Sequence, residues 1–132
     1  MTAFADIAYE IADLLADNGF GTLGTDIMVG QMDAEKNGVY IISTGGTANN
    51  YVPMKQSVID IYSKNTSAKD GIAKLRDILN FLDRLHSTNL QYNYIYSILT
   101  LSTIETVQRD NEYAKIMKVT LEVTHRDKAL IS

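Results

Sequence analysis

The sequence contains no cysteine, a single proline (Pro53) and only two histidines. Without cysteine the chain has no disulfide bond, no zinc thiolate site and no thiol nucleophile. This composition is compatible with a protein that functions in a reducing cytoplasm. The two histidines, His86 and His125, are too far apart to place two metal ligands on one helix or strand. We therefore expect no metal and no other cofactor.

An excess of positive charge is also missing. The chain holds 12 lysines and arginines against 16 acidic residues, for a net charge of -4 and a pI of about 5.0. A protein that wraps nucleic acid presents a broad basic face, and this balance argues against one. Sequence-specific binding of DNA is therefore not expected.

Long apolar runs are absent as well. No segment approaches the ~20 apolar residues of a membrane helix, and the amino terminus lacks the basic start and apolar core of a secretory signal. We expect a soluble intracellular protein without membrane contacts. Its 132 residues, 45% of them hydrophobic, are enough for a single domain that spans residues 1–132.

Recognisable catalytic motifs are missing too. No strand-turn-helix serine places a hydroxyl beside a base, and no dinucleotide-binding fingerprint is present. The run from Thr44 to Thr47 has two glycines but lacks the lysine of a phosphate-binding loop. We therefore do not expect an enzyme.

The first element that is present is an amphipathic helix that ends before Gly19. Its apolar residues recur at helical spacing, and glycine is the usual residue of a left-handed helix cap. The other side is acidic, which leaves two interpretations open: a solvated face, or a surface that docks on a basic neighbour in an assembly. The apolar stripe is Phe4, Ile7, Ala8, Ile11, Leu14 and Leu15, and the acidic side is Asp6, Glu10, Asp13 and Asp17.

Three strands are predicted next. Residues 26–30 and 39–43 are short apolar runs that we expect to pair as a hairpin, and residues 56–63 form the third strand. The loop from Thr44 to Pro53, which separates the second and third strands, is rich in glycine and asparagine. We expect this loop to be mobile.

A second amphipathic helix follows and extends to Leu85. Ser67 is the predicted amino-terminal cap, and Asp70 stands three residues on as its capping-box partner. The buried stripe consists of Ile72, Leu75, Ile78, Leu79, Leu82 and Leu85. The polar side includes the basic residues Lys69, Lys74, Arg76 and Arg84.

The chain closes with a predicted long hairpin from Tyr92 to Arg126, whose arms are joined by residues 108–112. The second arm alternates strictly between apolar and polar residues, which predicts that Met117, Val119, Leu121 and Val123 face the core. The first arm carries apolar side chains on both faces: Tyr92, Tyr94, Tyr96 and Ile98 on one, and Ile95, Leu99 and Leu101 on the other.

Two interpretations of the tyrosine face remain open. The protein's own loops cover it, or it is a surface that becomes buried only on assembly. The element order is α-β-β-β-α-β-β. It predicts an α+β fold in which a mainly antiparallel sheet of about five strands packs on two helices.

The chain as a whole resembles the tail terminator proteins of long-tailed bacteriophages, a group that includes tail completion and minor capsid proteins. The likeness is carried by chain size, by the acidic first helix and by the glycine-rich turn before residues 26–29. It continues through the strand at 57–63, the helix at 70–85 and the two long terminal strands. The resemblance covers nearly the whole chain and brings no catalytic residue with it.

This resemblance implies a structural protein of the virion, located at the tail-neck junction and made and assembled in the bacterial host cytoplasm. Such a protein forms a homo-oligomeric ring, commonly a hexamer, that caps the head-proximal end of the tail tube. It stops tube polymerisation and offers a surface for head joining. The implied partners are other copies of the chain, the tail tube protein and a head-side connector protein. DNA passes through the lumen without sequence-specific binding.

A closed ring needs contacts between unlike patches of neighbouring subunits. We expect the acidic helix face, the basic helix face and the tyrosine face to supply them, and the glycine-rich loop to face the tube or the lumen. The candidate interface residues are Asp6, Glu10, Asp13, Asp17, Lys69, Lys74, Arg76, Arg84, Tyr92, Tyr94 and Tyr96. The candidate loop residues are Gly45, Gly46, Thr47, Ala48, Asn49, Asn50 and Tyr51.

Two alternatives stay open at this point. One is another phage neck or head-completion adaptor, which would bind on the connector side. The other is a small-molecule-binding α+β domain, whose polar site would lie between a helix and the sheet.

Overall fold

The computed structural model describes residues 7–30, 37–48, 54–65, 67–90, 93–110 and 114–127. Over these residues the fold is α+β, as predicted, with two helices and seven strands rather than five. The elements are α1 (Ile7–Asp17), β1 (Ile27–Val29), β2 (Gly38–Ala48), β3 (Lys55–Asn65), α2 (Ala68–Leu82), β4 (His86–Asn89), β5 (Asn93–Thr100), β6 (Glu105–Asp110) and β7 (Ala114–Asp127).

Strand β7 is the centre of the sheet. The strand order is β1-β2-β3-β7-β5-β4, and β6 pairs with β7 outside this path. On one side β7 pairs with β3 over eleven successive residue pairs. On its other side it pairs with β6 along its amino-terminal half and with β5 along its carboxyl-terminal half.

The first arm of the predicted terminal hairpin is therefore two strands, which corrects the single long strand expected from the sequence. The arm is interrupted between Thr100 and Glu105, where backbone and side-chain bonds replace the regular ladder. Leu101 donates its backbone N–H to the carbonyl of Thr120, and the Thr120 N–H is donated to Ser102 Oγ. The backbone of β7 is thus satisfied across the break between β5 and β6.

The predicted hairpin of the first two strands is also wrong, because β1 and β2 pair in parallel. The Val39 N–H is donated to the carbonyl of Asp26, and the Gly30 N–H to the carbonyl of Ile41. Gly30 has a positive φ of 95°, which glycine adopts without strain. Strand β2 therefore runs alongside β1 in the same direction.

The predicted loop from Thr44 to Pro53 begins later than expected. Residues 44–48 belong to β2 and pair with the first residues of β3, after a bulge at Thr44. Thr44 also donates its hydroxyl to the carbonyl of Val58. Glycine-rich composition did not prevent strand formation here because β3 supplies backbone partners, whereas the remaining loop residues, 49–53, lie outside the described part of the chain.

The start of α2 and the end of α1 match their predicted positions, and α2 ends slightly early. Ser67 caps α2 as expected, since its hydroxyl accepts the Asp70 N–H at 3.3 Å. The second half of the expected capping box is replaced, because the Ser67 N–H is donated to Asn65 Oδ1. Helix α2 ends at Leu82, one turn earlier than predicted. Gly19, with φ 85°, follows α1 in the left-handed conformation that the sequence indicated.

The core lies between the two helices and one face of the sheet. The alternation in β7 is confirmed: Met117, Val119, Leu121 and Val123 are all buried beneath the helices. They pack with residues of every larger element, which include Ile11, Leu15, Ile41, Ile59, Ile61, Leu75, Ile78, Leu82 and Ile95. The opposite face of the sheet has neither helix against it.

Truncation in this core should be far more costly than truncation on the open face. We expect Leu121→Ala to lower the free energy of unfolding by about 2–5 kcal/mol, because it leaves a cavity beneath two helices. Leu99→Ala, at a side chain 57% exposed, should change it by less than about 1 kcal/mol. Urea unfolding followed by circular dichroism measures both, and equal losses would contradict this assignment of faces.

Candidate assembly surface

A bulge in β5 decides which of its side chains reach the open face. The pairing register with β7 shifts between Ile95 and Ser97, so Tyr96 is an extra residue in the ladder. As a result Ile95 and Ile98 both face the helices, although they have opposite parity in the sequence. The predicted faces are therefore wrong beyond the bulge, because they assumed an unbroken period of two. Ile98 does not share a face with the tyrosines, whereas Leu99 and Leu101 do.

The open face of the sheet carries an apolar patch along this strand, here called the β5 patch. Tyr96 is 37% exposed, Leu99 57% and Leu101 49%. The fourth member, Tyr94, is half-buried and packs edge-on against Tyr96 with ring centroids 5.1 Å apart. The helices cover none of this patch, and its place at an interface stays a prediction. Tyr92 lies outside the described residues.

Arg126 forms one end of this patch. It is the direct partner of Tyr94 across the β5–β7 ladder, and its guanidinium carbon lies 5.3 Å from the centre of the Tyr94 ring. The Arg126 Nε atom is buried and has no hydrogen-bond acceptor within the described structure. Among the described residues, the open face therefore combines an aromatic pair with a cation whose Nε–H has no acceptor.

The acidic side of α1 is divided by the fold. Asp13 and Asp17 are exposed, whereas Glu10 is only 9% exposed. The Glu10 carboxylate accepts a hydrogen bond of 2.8 Å from Asn93 Nδ2, so its predicted place on a solvated or docking face is wrong. Glu10 lies three residues after Ile7 and one turn before Leu14, which puts it at the edge of the buried stripe. Asp6 lies outside the described residues.

Glu10 belongs to a chain of buried and partly buried hydrogen bonds that joins four elements. Asn93 Oδ1 lies 3.0 Å from His125 Nδ1, and His125 Nε2 lies 2.8 Å from Ser57 Oγ. An amide oxygen can only accept, so the proton of a neutral His125 ring is on Nδ1 and Nε2 accepts from Ser57. These side chains tie α1 to β5, β7 and β3.

Ser57, His125 and Asn93 also have the order of nucleophile, base and orienting group in a hydrolase. Ser57, however, lies within β3, where it is paired on both sides, with Gly46 and with Val123. Its backbone N–H belongs to the sheet ladder and is not free to stabilise an oxyanion. We therefore interpret the chain of bonds as structural. The sequence held no signal for it, because its members are distant and carry no motif.

Removal of Asn93 should be costly, because it leaves both Glu10 and His125 buried without this partner. We expect Asn93→Ala to lower the free energy of unfolding by about 3 kcal/mol. Asn80→Ala, at an exposed position of α2, is the matched control and should be nearly neutral. Thermal unfolding of both variants tests this, and similar melting temperatures would show that the buried chain contributes little.

The basic residues of α2 differ in their availability. Lys69, Arg76 and Arg84 are exposed. Lys74 instead donates a 2.5 Å hydrogen bond from Nζ to the carbonyl of Phe20, and its ammonium lies 5.7 Å from the centre of the Phe20 ring. Lys74 therefore links the turn after α1 to α2, and its ammonium group already has partners within the chain.

A polar cluster occupies the open face where β3, β6 and β7 meet. Thr120 donates its hydroxyl to Asp60 Oδ1 at 2.7 Å, and Lys118 Nζ lies 3.5 Å from Glu105 Oε1. Burial, and then the neighbouring Asp60 carboxylate, raise the pKa of Tyr62 above its usual 10.0. The Tyr62 hydroxyl is therefore a neutral hydrogen-bond donor throughout the physiological range.

This pKa shift predicts a stability change in alkali. Above pH 10 the unfolded chain releases the Tyr62 proton before the folded chain does, so stability should fall as the pH rises through the folded pKa. The Tyr62→Phe variant should lose less stability between pH 9 and 11, because it has no proton to release. Urea midpoints across this range measure the difference, and identical slopes would contradict a raised pKa.

A cavity of about 560 Å³ lies between the turn after α1 and the start of α2. Its lining carries both signs of charge, with Asp26 and Asp70 against Lys64 and Lys74. Asp26 accepts the Thr22 N–H, and Lys74 donates to the carbonyl of Phe20, so these two side chains already have partners within the chain. The lining therefore does not define a class of ligand.

Among the residues that the structure describes, no helix is long and apolar enough to cross a membrane. No group of three or more histidine, aspartate or glutamate side chains in that part of the chain could hold a metal ion.

The fold and its surface define a class of protein before any comparison. Its polar clusters hold its own layers together, and its most exposed apolar side chains include three from the β5 patch, on a face without helices. This is a two-layer α+β domain. A family profile described as bacteriophage tail terminator protein matches residues 14–126, and the chain belongs to this family.

This match confirms the resemblance found in the sequence. The family is structural rather than enzymatic, and its members are components of the virion. A search among curated proteins found no significant match.

Proposed function

We propose that the protein forms a homo-oligomeric ring, of six copies, that caps the head-proximal end of the phage tail tube. Capping stops tube polymerisation, because the ring binds the last ring of tube protein and leaves it no site for the next. The opposite side of the ring then joins a head-side connector protein at the tail-neck junction. DNA passes through the lumen without sequence-specific contacts.

The β5 patch is the observation that carries this proposal beyond family membership. Three large apolar side chains are each more than one third exposed: Tyr96 and Leu99 on β5, and Leu101 directly after its end. Apolar clusters of this kind are costly on a permanently isolated protein and are typical of contact surfaces. A subunit or tube interface that covers the β5 patch removes this cost.

Tube length is the property that tests the proposal. The tail tube protein of the same phage is polymerised alone and with this protein, and tube lengths are measured by electron microscopy. We expect the protein to shorten the tubes and to sit at one end only. Tubes of unchanged length, without density at either end, would contradict the capping function.

Variants of the β5 patch connect the function to the surface. Leu99→Lys combined with Leu101→Lys should leave the fold intact, since both side chains are exposed, but should abolish the effect on tube length. Leu23→Lys is the matched control, because Leu23 is a similarly exposed leucine, 40%, outside the patch. Equal loss of capping in both variants would show that the patch has no special role.

A further inference from the structure

Arg126 carries a hydrogen-bond donor that no described residue of the chain accepts. Its Nε–H is buried and has no acceptor within the described structure. A buried donor without an acceptor destabilises the folded chain, and more so when the group is charged. Such groups are uncommon in native proteins, so each one needs an explanation. The enclosed Nε atom cannot be reached from outside, so a partner binds this guanidinium through its Nη atoms and offsets the cost of holding the cation partly buried.

The surroundings of Arg126 restrict the chemistry of that partner. The guanidinium packs on Tyr94, which in turn packs on Tyr96, so the cation is presented on an aromatic platform. A planar guanidinium matches a carboxylate, which accepts two parallel N–H bonds. The group that completes this site is therefore an acidic side chain with an aromatic or apolar neighbour.

Helix α1 offers such a group on its outer side. Tyr9 is 42% exposed, and Asp13 and Asp17 follow it at intervals of four residues, so the three form one stripe along the helix. Neither aspartate forms an ion pair within the described residues. This stripe, an aromatic ring followed by two carboxylates, complements the cation and tyrosines around Arg126.

We propose that the guanidinium of Arg126 binds the Asp13 and Asp17 carboxylates of a second copy of this chain. Tyr9 of that copy then packs on Tyr94 and Tyr96. Helix α1 lies on the covered face of the sheet and Arg126 on the open face, so the two patches of one chain cannot meet each other. Their contact between copies is heterologous and repeats from subunit to subunit, as a ring requires.

The alternative cations are those of α2, which the sequence favoured. Lys69, Arg76 and Arg84 are exposed, but the same helix carries the exposed acids Asp70, Asp77 and Asp83 among them. Their charges are therefore locally balanced and fully hydrated, and an exposed ion pair contributes little. Arg126 differs because part of its cost of burial is already present before any partner arrives.

Charge exchange between the two patches tests this inference, which rests on the proposed ring. Asp17→Arg and Arg126→Glu, each alone, should raise the dissociation constant of the oligomer by about tenfold or more. The chain that carries both changes should recover most of that loss, because the pair is restored with opposite polarity. Sedimentation over a range of protein concentrations at low salt gives the three constants.

Further variants distinguish a contact of Asp17 with Arg126 from a contact of Asp17 with Arg84. Asp17→Arg combined with Arg84→Glu should remain as weak as Asp17→Arg alone. Arg126→Gln, which removes the charge without adding repulsion, should give a smaller loss than Arg126→Glu. Circular dichroism of each variant at low concentration establishes that the single chain is folded.

The outcomes distinguish this inference from the function beneath it. Recovery with Arg126→Glu but not with Arg84→Glu supports the Arg126 contact. Recovery with Arg84→Glu instead, or unchanged assembly in Arg126→Glu, overturns the contact while the ring remains. A native chain that stays monomeric at every concentration, and also in the presence of tail tubes, overturns the ring and the contact together.

Discussion

Strand β7 is the element on which the rest of the structure depends. It is the longest strand, 14 residues, and it supplies the backbone partners of three others. Its alternation places one row of side chains under both helices and the other on the open face. A change in its register by one residue would exchange these rows and expose the core. Its pairing places β3, β5 and β6 directly, and β2, β1 and β4 extend the sheet from β3 and β5.

Because the side chains of β7 alternate, the two faces of the sheet carry different kinds of side chain. The covered face holds the apolar core, and at its edge the bonds among Glu10, Asn93, His125 and Ser57 attach α1. The open face carries the β5 patch and the polar cluster around Asp60. The covered face therefore accounts for most of the stability, while the open face carries the exposed apolar side chains that the proposed assembly would bury.

Local sequence patterns anticipated those elements whose stability is largely local. Helix α1 with its glycine cap, helix α2 with its Ser67 cap, the strand at β3 and the alternation of β7 all matched expectation. Errors arose where pairing is decided at long range. The parallel pairing of β1 with β2, the separation of β5 from β6, and the bulge at Tyr96 depend on partners distant in the chain.

The sequence by itself determined the fold class, the core face of β7 and the family, because periodicity, capping residues and chain-wide pattern are local or cumulative signals. Only the tertiary structure decided that Glu10 is buried, that Lys74 is bound to Phe20, and that Arg126 rests on Tyr94. The sequence shows that a side chain is charged but not whether it is buried or what it binds, because both depend on which elements pack beside it.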